Sequence, residues 1–70
     1  MCAVILEVNK DNLLVRDNAT NQEVLVHMNC ACNWHINERI IILYNGIMTM
    51  SIPPQISASR ILKAPFHRCS

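Results

Sequence analysis

The residues of this chain best suited to chemistry fall in one stretch, "HMNCACNWH", where His27, Cys30, Cys32 and His35 are spaced H-x-x-C-x-C-x-x-H. Two imidazoles and two thiols are a donor set that tetrahedral zinc accepts, each thiol binding as thiolate. The spacing argues the other way. Zinc motifs usually separate paired cysteines so that the loop wraps the ion, and here all four donors crowd together with little backbone left to close a cage. Copper(I) takes two soft thiolates in near-linear geometry and suits the C-x-C pair better. A Cys30–Cys32 disulfide would close a tight, strained and therefore oxidising ring. Cys30 with His27, or Cys32 with His35, has the types of a nucleophilic dyad, because an imidazole lowers a thiol pKa. A nucleophile also needs an oxyanion hole and a substrate cleft, which a domain of this size rarely supplies. On spacing, the preferred reading is a surface cap loop whose thiols act as small hydrophobes. Zinc or copper(I) at His27, Cys30, Cys32 and His35, or thiol redox chemistry at the C-x-C pair, is the alternative. His67 and Cys69 would join such a site only if the tail folds back on it.

Nothing else in the chain carries catalytic chemistry. G-x-S-x-G, Walker A and H-E-x-x-H patterns are all missing from the sequence. Asp11, Asp17 and Glu23 flank turns and read as solvated charges. The expectation is therefore no enzyme, no catalytic residue and no cofactor. The formal net charge is +1, and Lys10, Arg16, Arg39, Arg60, Lys63 and Arg68 are scattered rather than clustered. Trp34, Tyr44 and Phe66 are too few for a base-stacking platform. Charge and aromatic content thus argue against nucleic acid as a partner, and leave weak single-stranded binding as an alternative only. A binding or interaction module for an unidentified protein or small ligand is the function that remains.

The elements that would position these residues are strands. "AVILEV" is rich in β-branched residues and runs into the turn cluster "NKDN". "LLVR" follows, then the polar loop "DNATNQ", then "EVLVH" with Val24 and Val26 on one face. Three sequential strands of this kind predict an antiparallel meander. "MNCACNWHINE" breaks the period and reads as a loop or one short helix. "RIIILY" carries β-branched residues on both faces, which predicts a strand that is central or covered on both sides. Asn45-Gly46 predicts a tight hairpin turn with "IMTMS" as the returning strand, ended by Pro53-Pro54. Tyr44, Met48 and Met50 have the types for a ligand groove, but the pattern favours packing within that hairpin. "QISASRI" alternates as a last strand. About five or six short strands with a break after the third predict an all-β, OB-like, partly open barrel. Residues 1–62 would form the barrel and 63–70 a tail. Only one glycine is present, so the bends that a small barrel needs must come from other residues or from bulges.

The 70 residues are 51% hydrophobic and 16% charged, which fits one globular domain. No apolar run approaches the roughly 20 residues that cross a bilayer. "CAVILEV" is too short for a signal h-region and has no basic segment before it. The chain as given reads as cytoplasmic, and Cys2, Cys30, Cys32 and Cys69 as free thiols. Asn18-Ala19-Thr20 is a glycosylation sequon, relevant only to a eukaryotic secreted protein. An exposed strand edge could drive homodimerisation.

The segment "NERIIILYNGIMTMSIPPQISASRI" resembles a family of small bacterial domains of unknown function, common in Firmicutes. Its pattern is G-D-x-V-x-V-x-Y-x-G-x-I-x-x-S-Y-P-x-Q-I-x-A. Glu38 stands at the acidic position, Ile40 and Ile42 replace the valines, and Tyr44 and Gly46 match. Met48 takes the apolar place, and Ser51, Pro53, Gln55, Ile56 and Ala58 follow in register. Asn37 replaces the leading glycine and still permits a left-handed backbone, while Ile52 replaces the second tyrosine. The resemblance implies an OB-like barrel and no assigned activity. It also implies relatives that are often exported or lipid-anchored.

Overall fold

Period-two alternation writes the strands of this protein. A computed structural model describes residues 1–29 and 33–64. Within them lie β1 (Cys2–Val8), β2 (Asn12–Asp17), β3 (Glu23–His27), β4 (Arg39–Tyr44) and β5 (Gln55–Lys63). They form a closed barrel in the order β1-β2-β3-β5-β4. The expected meander is present: β1 pairs with β2, and β2 with β3, both antiparallel. β4 then crosses to pair antiparallel with β1, and β5 fills the gap between β4 and β3. β5 runs antiparallel to β4 and parallel to β3. Each strand therefore has a neighbour on both sides, and the ladders close on themselves. The described residues contain no α-helix; in the β3–β4 connection Asn33 is 3-10 helical and Ile36 and Asn37 form a turn.

Closure works because every strand presents one apolar row inward. Ala3, Ile5, Leu13, Val15, Val24, Val26, Ile40, Ile42 and Ile56 form the buried core, with no polar or charged side chain among them. The sequence predicts β4 to be central or covered on both faces. It is central, paired with β1 on one side and β5 on the other, but it is not covered twice: Ile40 and Ile42 are buried, Ile41 is half-buried and Leu43 is 45% exposed. A barrel wall has one inside, so a strand with β-branched residues at successive positions still buries only alternate ones.

The bends come from two bulges. In β1, Ile5 faces Val15 and Glu7 faces Leu14, so Leu6 is the extra residue. In β5, Arg60 faces Leu43 and Ala58 faces Tyr44, so Ser59 is the extra residue. Ser59 Oγ donates to the Leu43 carbonyl across the ladder at 2.9 Å. Each bulge reverses the phase of its strand. After Ala3 and Ile5 the next inward residue of β1 is Val8, and after Ile56 and Ala58 the next of β5 is Ile61. These bulges supply the coiling that glycines supply in other barrels.

The expected hairpin after β4 does not form. "IMTMS" is not a strand, and the partner of β4 is β5, which extends to Lys63. Gly46 takes the left-handed conformation (φ 85°), but Asn45 does not, so the tight turn is missing. Residues 45–54 instead make one long connection. Asn37 (φ 71°) takes the left-handed backbone that its sequence position allowed. Its N–H donates to the Ile5 carbonyl at 2.7 Å, while Ile5 N–H donates to the Glu38 carbonyl at 3.0 Å. That pair seats the start of β4 against β1.

Ile42 has no exposed surface, whereas Met50 is 99% exposed. Ile42→Ala should lower the unfolding free energy by about 2–5 kcal/mol, as lost burial plus a cavity requires. Met50→Ser should leave it within about 0.5 kcal/mol. Urea unfolding followed by circular dichroism measures both.

Candidate binding site at the β4–β5 loop

The long connection between β4 and β5 is held in place by its own polar groups. Thr49 N–H donates to the Gln55 carbonyl at 3.0 Å, and Gln55 N–H donates to Thr49 Oγ1 at 2.9 Å. Thr49 and Ser51 hydroxyls meet at 2.6 Å, and Ser51 Oγ donates to the Pro53 carbonyl at 3.0 Å. Asn45 Oδ1 accepts from Ile47 N–H at 3.0 Å, closing an Asx turn at the entry. The exit is fixed on β3, where Leu25 N–H donates to the carbonyl of buried Pro54 at 2.9 Å. The Ile52–Pro53 peptide is cis.

This tied loop turns its apolar side chains outward. Ile47 is 69% exposed, and Met50 and Ile52 are each 99% exposed. Two clefts flank the tip. One of about 510 Å³ lies between Asn21, Gln22 and Glu23 on one wall and Ser51, Ile52, Pro53 and Pro54 on the other. The second, about 380 Å³, is lined by Gln22 and by residues from Met48 to Pro54. At the base of the loop a third cleft of about 250 Å³ is floored by β3 and β5. Its polar groups are His27, Asn45, Thr49, Gln55 and Ser57. There His27 Nε2 lies 2.7 Å from Gln55 Oε1. The amide oxygen can only accept, so the imidazole donates at Nε2.

Met48 and Tyr44 are half-buried and pack against the core, although the hairpin expected to place them there does not form. Met50 departs from that expectation: it touches solvent, because the strand it was assigned to does not exist. Exposure of this kind has no signal in composition or period. Only the route of the chain decides it.

The residues singled out for metal chemistry are not assembled within the described part. His27 is bonded to Gln55 at the end of β3. His35 lies in the β3–β4 connection, where its backbone N–H donates to Glu38 Oε1 at 3.0 Å and its Nδ1 is 3.6 Å from the same oxygen. Glu38 Oε2 also meets Lys63 Nζ at 3.6 Å, tying that connection to the end of β5. Cys30, Cys32, His67 and Cys69 lie outside the described residues, and no group of three or more metal-binding side chains occurs among those described. The expectation of four free thiols fails at Cys2, which is disulfide-bonded. No helix of the described chain is long and apolar enough to cross a membrane. In comparisons with family models, curated proteins and solved structures, nothing matches the chain.

The Thr49 hydroxyl both accepts from Gln55 N–H and meets Ser51, so it is the centre of the loop's bonding. Thr49→Val should speed amide exchange at Thr49 and Gln55 at least several-fold. Global stability should fall by no more than about 1 kcal/mol, the net worth of one exposed hydrogen bond. Hydrogen exchange followed by NMR, alongside urea unfolding, separates the two effects.

Proposed function

We propose that this protein is a non-enzymatic binding module, built on a barrel of the OB type, that engages a protein or peptide partner through its β4–β5 loop. The observation that carries the reading is the exposure of Met50 and Ile52 on a loop whose backbone is already fixed by hydrogen bonds. Large apolar side chains clustered at one exposed place mark interaction surfaces. A pre-ordered loop also spends less conformational entropy on binding. Methionine adapts to varied partners, and the flanking clefts can accept a partner's own apolar side chains.

The OB assignment rests on the strand order, with β5 parallel to β3 and β4 closing on β1. In OB barrels the loop between the fourth and fifth strands commonly contacts ligands. That is support by fold analogy, and the exposed side chains stand independently of it. The C-terminal resemblance to small bacterial domains of unknown function points to the same barrel and carries no assigned activity. The disulfide at Cys2 favours an oxidising compartment over the cytoplasm.

Short peptides selected from a random displayed library against the folded protein should bind at micromolar affinity and shift NMR resonances of residues 45–54. Met50→Ser combined with Ile52→Ser should weaken them at least about tenfold, as loss of central apolar anchors does, while leaving the fold intact. Equal binding by that variant, or shifts confined to β1 and β2, would sink the proposal.

Nucleic acid is the competing ligand for a barrel of this type. A short poly-dT strand should show no measurable binding at physiological salt, because the loop and its clefts carry no lysine or arginine. Micromolar affinity that falls steeply with salt would replace the peptide reading.

A further inference from the structure

The one glycine of the chain follows an asparagine, and both residues of Asn45-Gly46 are exposed at the entry to the β4–β5 loop. We infer that Asn45 is a site of self-catalysed deamidation, in which the Gly46 backbone nitrogen attacks the Asn45 side-chain amide and turns it into a carboxylate.

The fold sets up the attack in several ways. The Gly46 N–H has no hydrogen-bond partner among the described residues, so the nucleophile is not held in a ladder or a turn. Asn45 Oδ1 accepts from Ile47 N–H at 3.0 Å, which folds the side-chain amide back over the backbone that follows it. The same donor stabilises the negative charge that gathers on Oδ1 as the amide carbon becomes tetrahedral, as an oxyanion-hole donor does. Gly46 has no Cβ to block the approach, and the space around it is open: a Cβ at that position would meet nothing within 4 Å.

Asn18, Asn21 and Asn37 are also exposed but lack this arrangement. After Asn18, Ala19 N–H donates to Asp17 Oδ1. After Asn21, Gln22 N–H donates to Thr20 Oγ1. After Asn37, Glu38 N–H donates to the His35 carbonyl. Each of those nitrogens is bonded, and each belongs to a residue with a side chain.

The chemistry needs only water. The Gly46 nitrogen bonds to Asn45 Cγ, the Cγ–Nδ2 bond breaks, and ammonia leaves with the proton that Gly46 gives up. The product is a five-membered succinimide, which one water molecule then opens. Opening at Cγ leaves an aspartate with ordinary backbone. Opening at the main-chain carbonyl leaves an isoaspartyl linkage, in which the chain runs through Cγ and is one methylene longer. Either product sets a carboxylate in the cleft that His27, Gln55 and Ser57 share with position 45, whose lining otherwise holds none. The isoaspartyl form also lengthens the entry of a loop that the bond between Asn45 and Ile47 closes. The reaction proceeds whether or not the loop binds a peptide.

The full chain, folded with its disulfide intact, is held in mildly alkaline buffer at physiological temperature beside a sample kept unfolded in urea. Trypsin cuts after Arg39 and Arg60 and releases residues 40–60, in which Asn45 is the sole asparagine. Mass spectrometry should show that peptide gaining the mass of an amide turned to an acid, with fragmentation placing the change at Asn45. Because glycine alone leaves the nitrogen unhindered, conversion in the folded chain should be at least about tenfold faster there than at any other asparagine. Chromatography should split the product into aspartyl and isoaspartyl forms, and an isoaspartyl methyltransferase should label the second. Gly46→Ala should slow conversion by about tenfold or more when measured in urea, where folding plays no part. Conversion of Asn45 in urea but not in the folded chain would overturn the inference, since the fold would then protect the site. An unchanged rate for Gly46→Ala in urea would overturn it too.

Discussion

A sheet of five strands closes into a barrel only if its strands coil tightly, and this chain must do so with one glycine, which lies in a loop. The constraint is met by the extra residues Leu6 and Ser59. Each bends its strand and shifts the inward phase by one, so that Val8 and Ile61 turn toward the core after Ile5 and Ala58 have done so. Remove the phase shift and the second half of each strand would present its other row inward, with Glu7 in β1 and Arg60 in β5. The inward rows of β1 and β5 beyond Ile5 and Ala58 follow from where these bulges fall.

Most of this framework was legible in the residues. "AVILEV", "LLVR", "EVLVH" and "RIIILY" alternate or branch as strands do, and polar clusters mark the first two turns. The need for bulges was also legible, from the missing glycines, but not their positions. Leu6 and Ser59 carry no local mark, because a bulge is set by the register of two strands together. The Asn45-Gly46 signal misled for a related reason. A tight turn requires the following residues to be a strand, and Pro53 and Pro54 move the pairing segment to β5, which starts at Gln55. Gly46 kept its left-handed backbone while the turn around it opened.

The candidate site was less legible still. Chemical type alone points to His27, His35 and the C-x-C pair. In the described chain the two histidines serve other partners: His27 donates to Gln55, and His35 lies against Glu38. The feature that stands out is instead the exposure of Met50 and Ile52. A sequence contains no statement of exposure. Met50 reads as hairpin packing until the chain's route places it, with Ile52, at the tip of a loop, where Thr49 and Ser51 are turned to bonding that loop rather than facing a neighbouring strand.

Rigid display and covalent closure belong to one physical problem. A domain of this size holds a small core, and its net stability is a small difference between large terms. Among the described residues nine buried side chains supply that core, while three large apolar residues are spent on the surface of one loop. Those three add nothing to folding in the isolated chain. A chain that leaves such area exposed needs stability from another source, and a disulfide provides it by restricting the unfolded ensemble without occupying the core. The bond at Cys2 lies at the start of β1, whereas the apolar loop is anchored by Pro54 to β3. β1 and β3 are not neighbours in the barrel, so the bonded cysteine and the anchor of the apolar loop sit on separate strands.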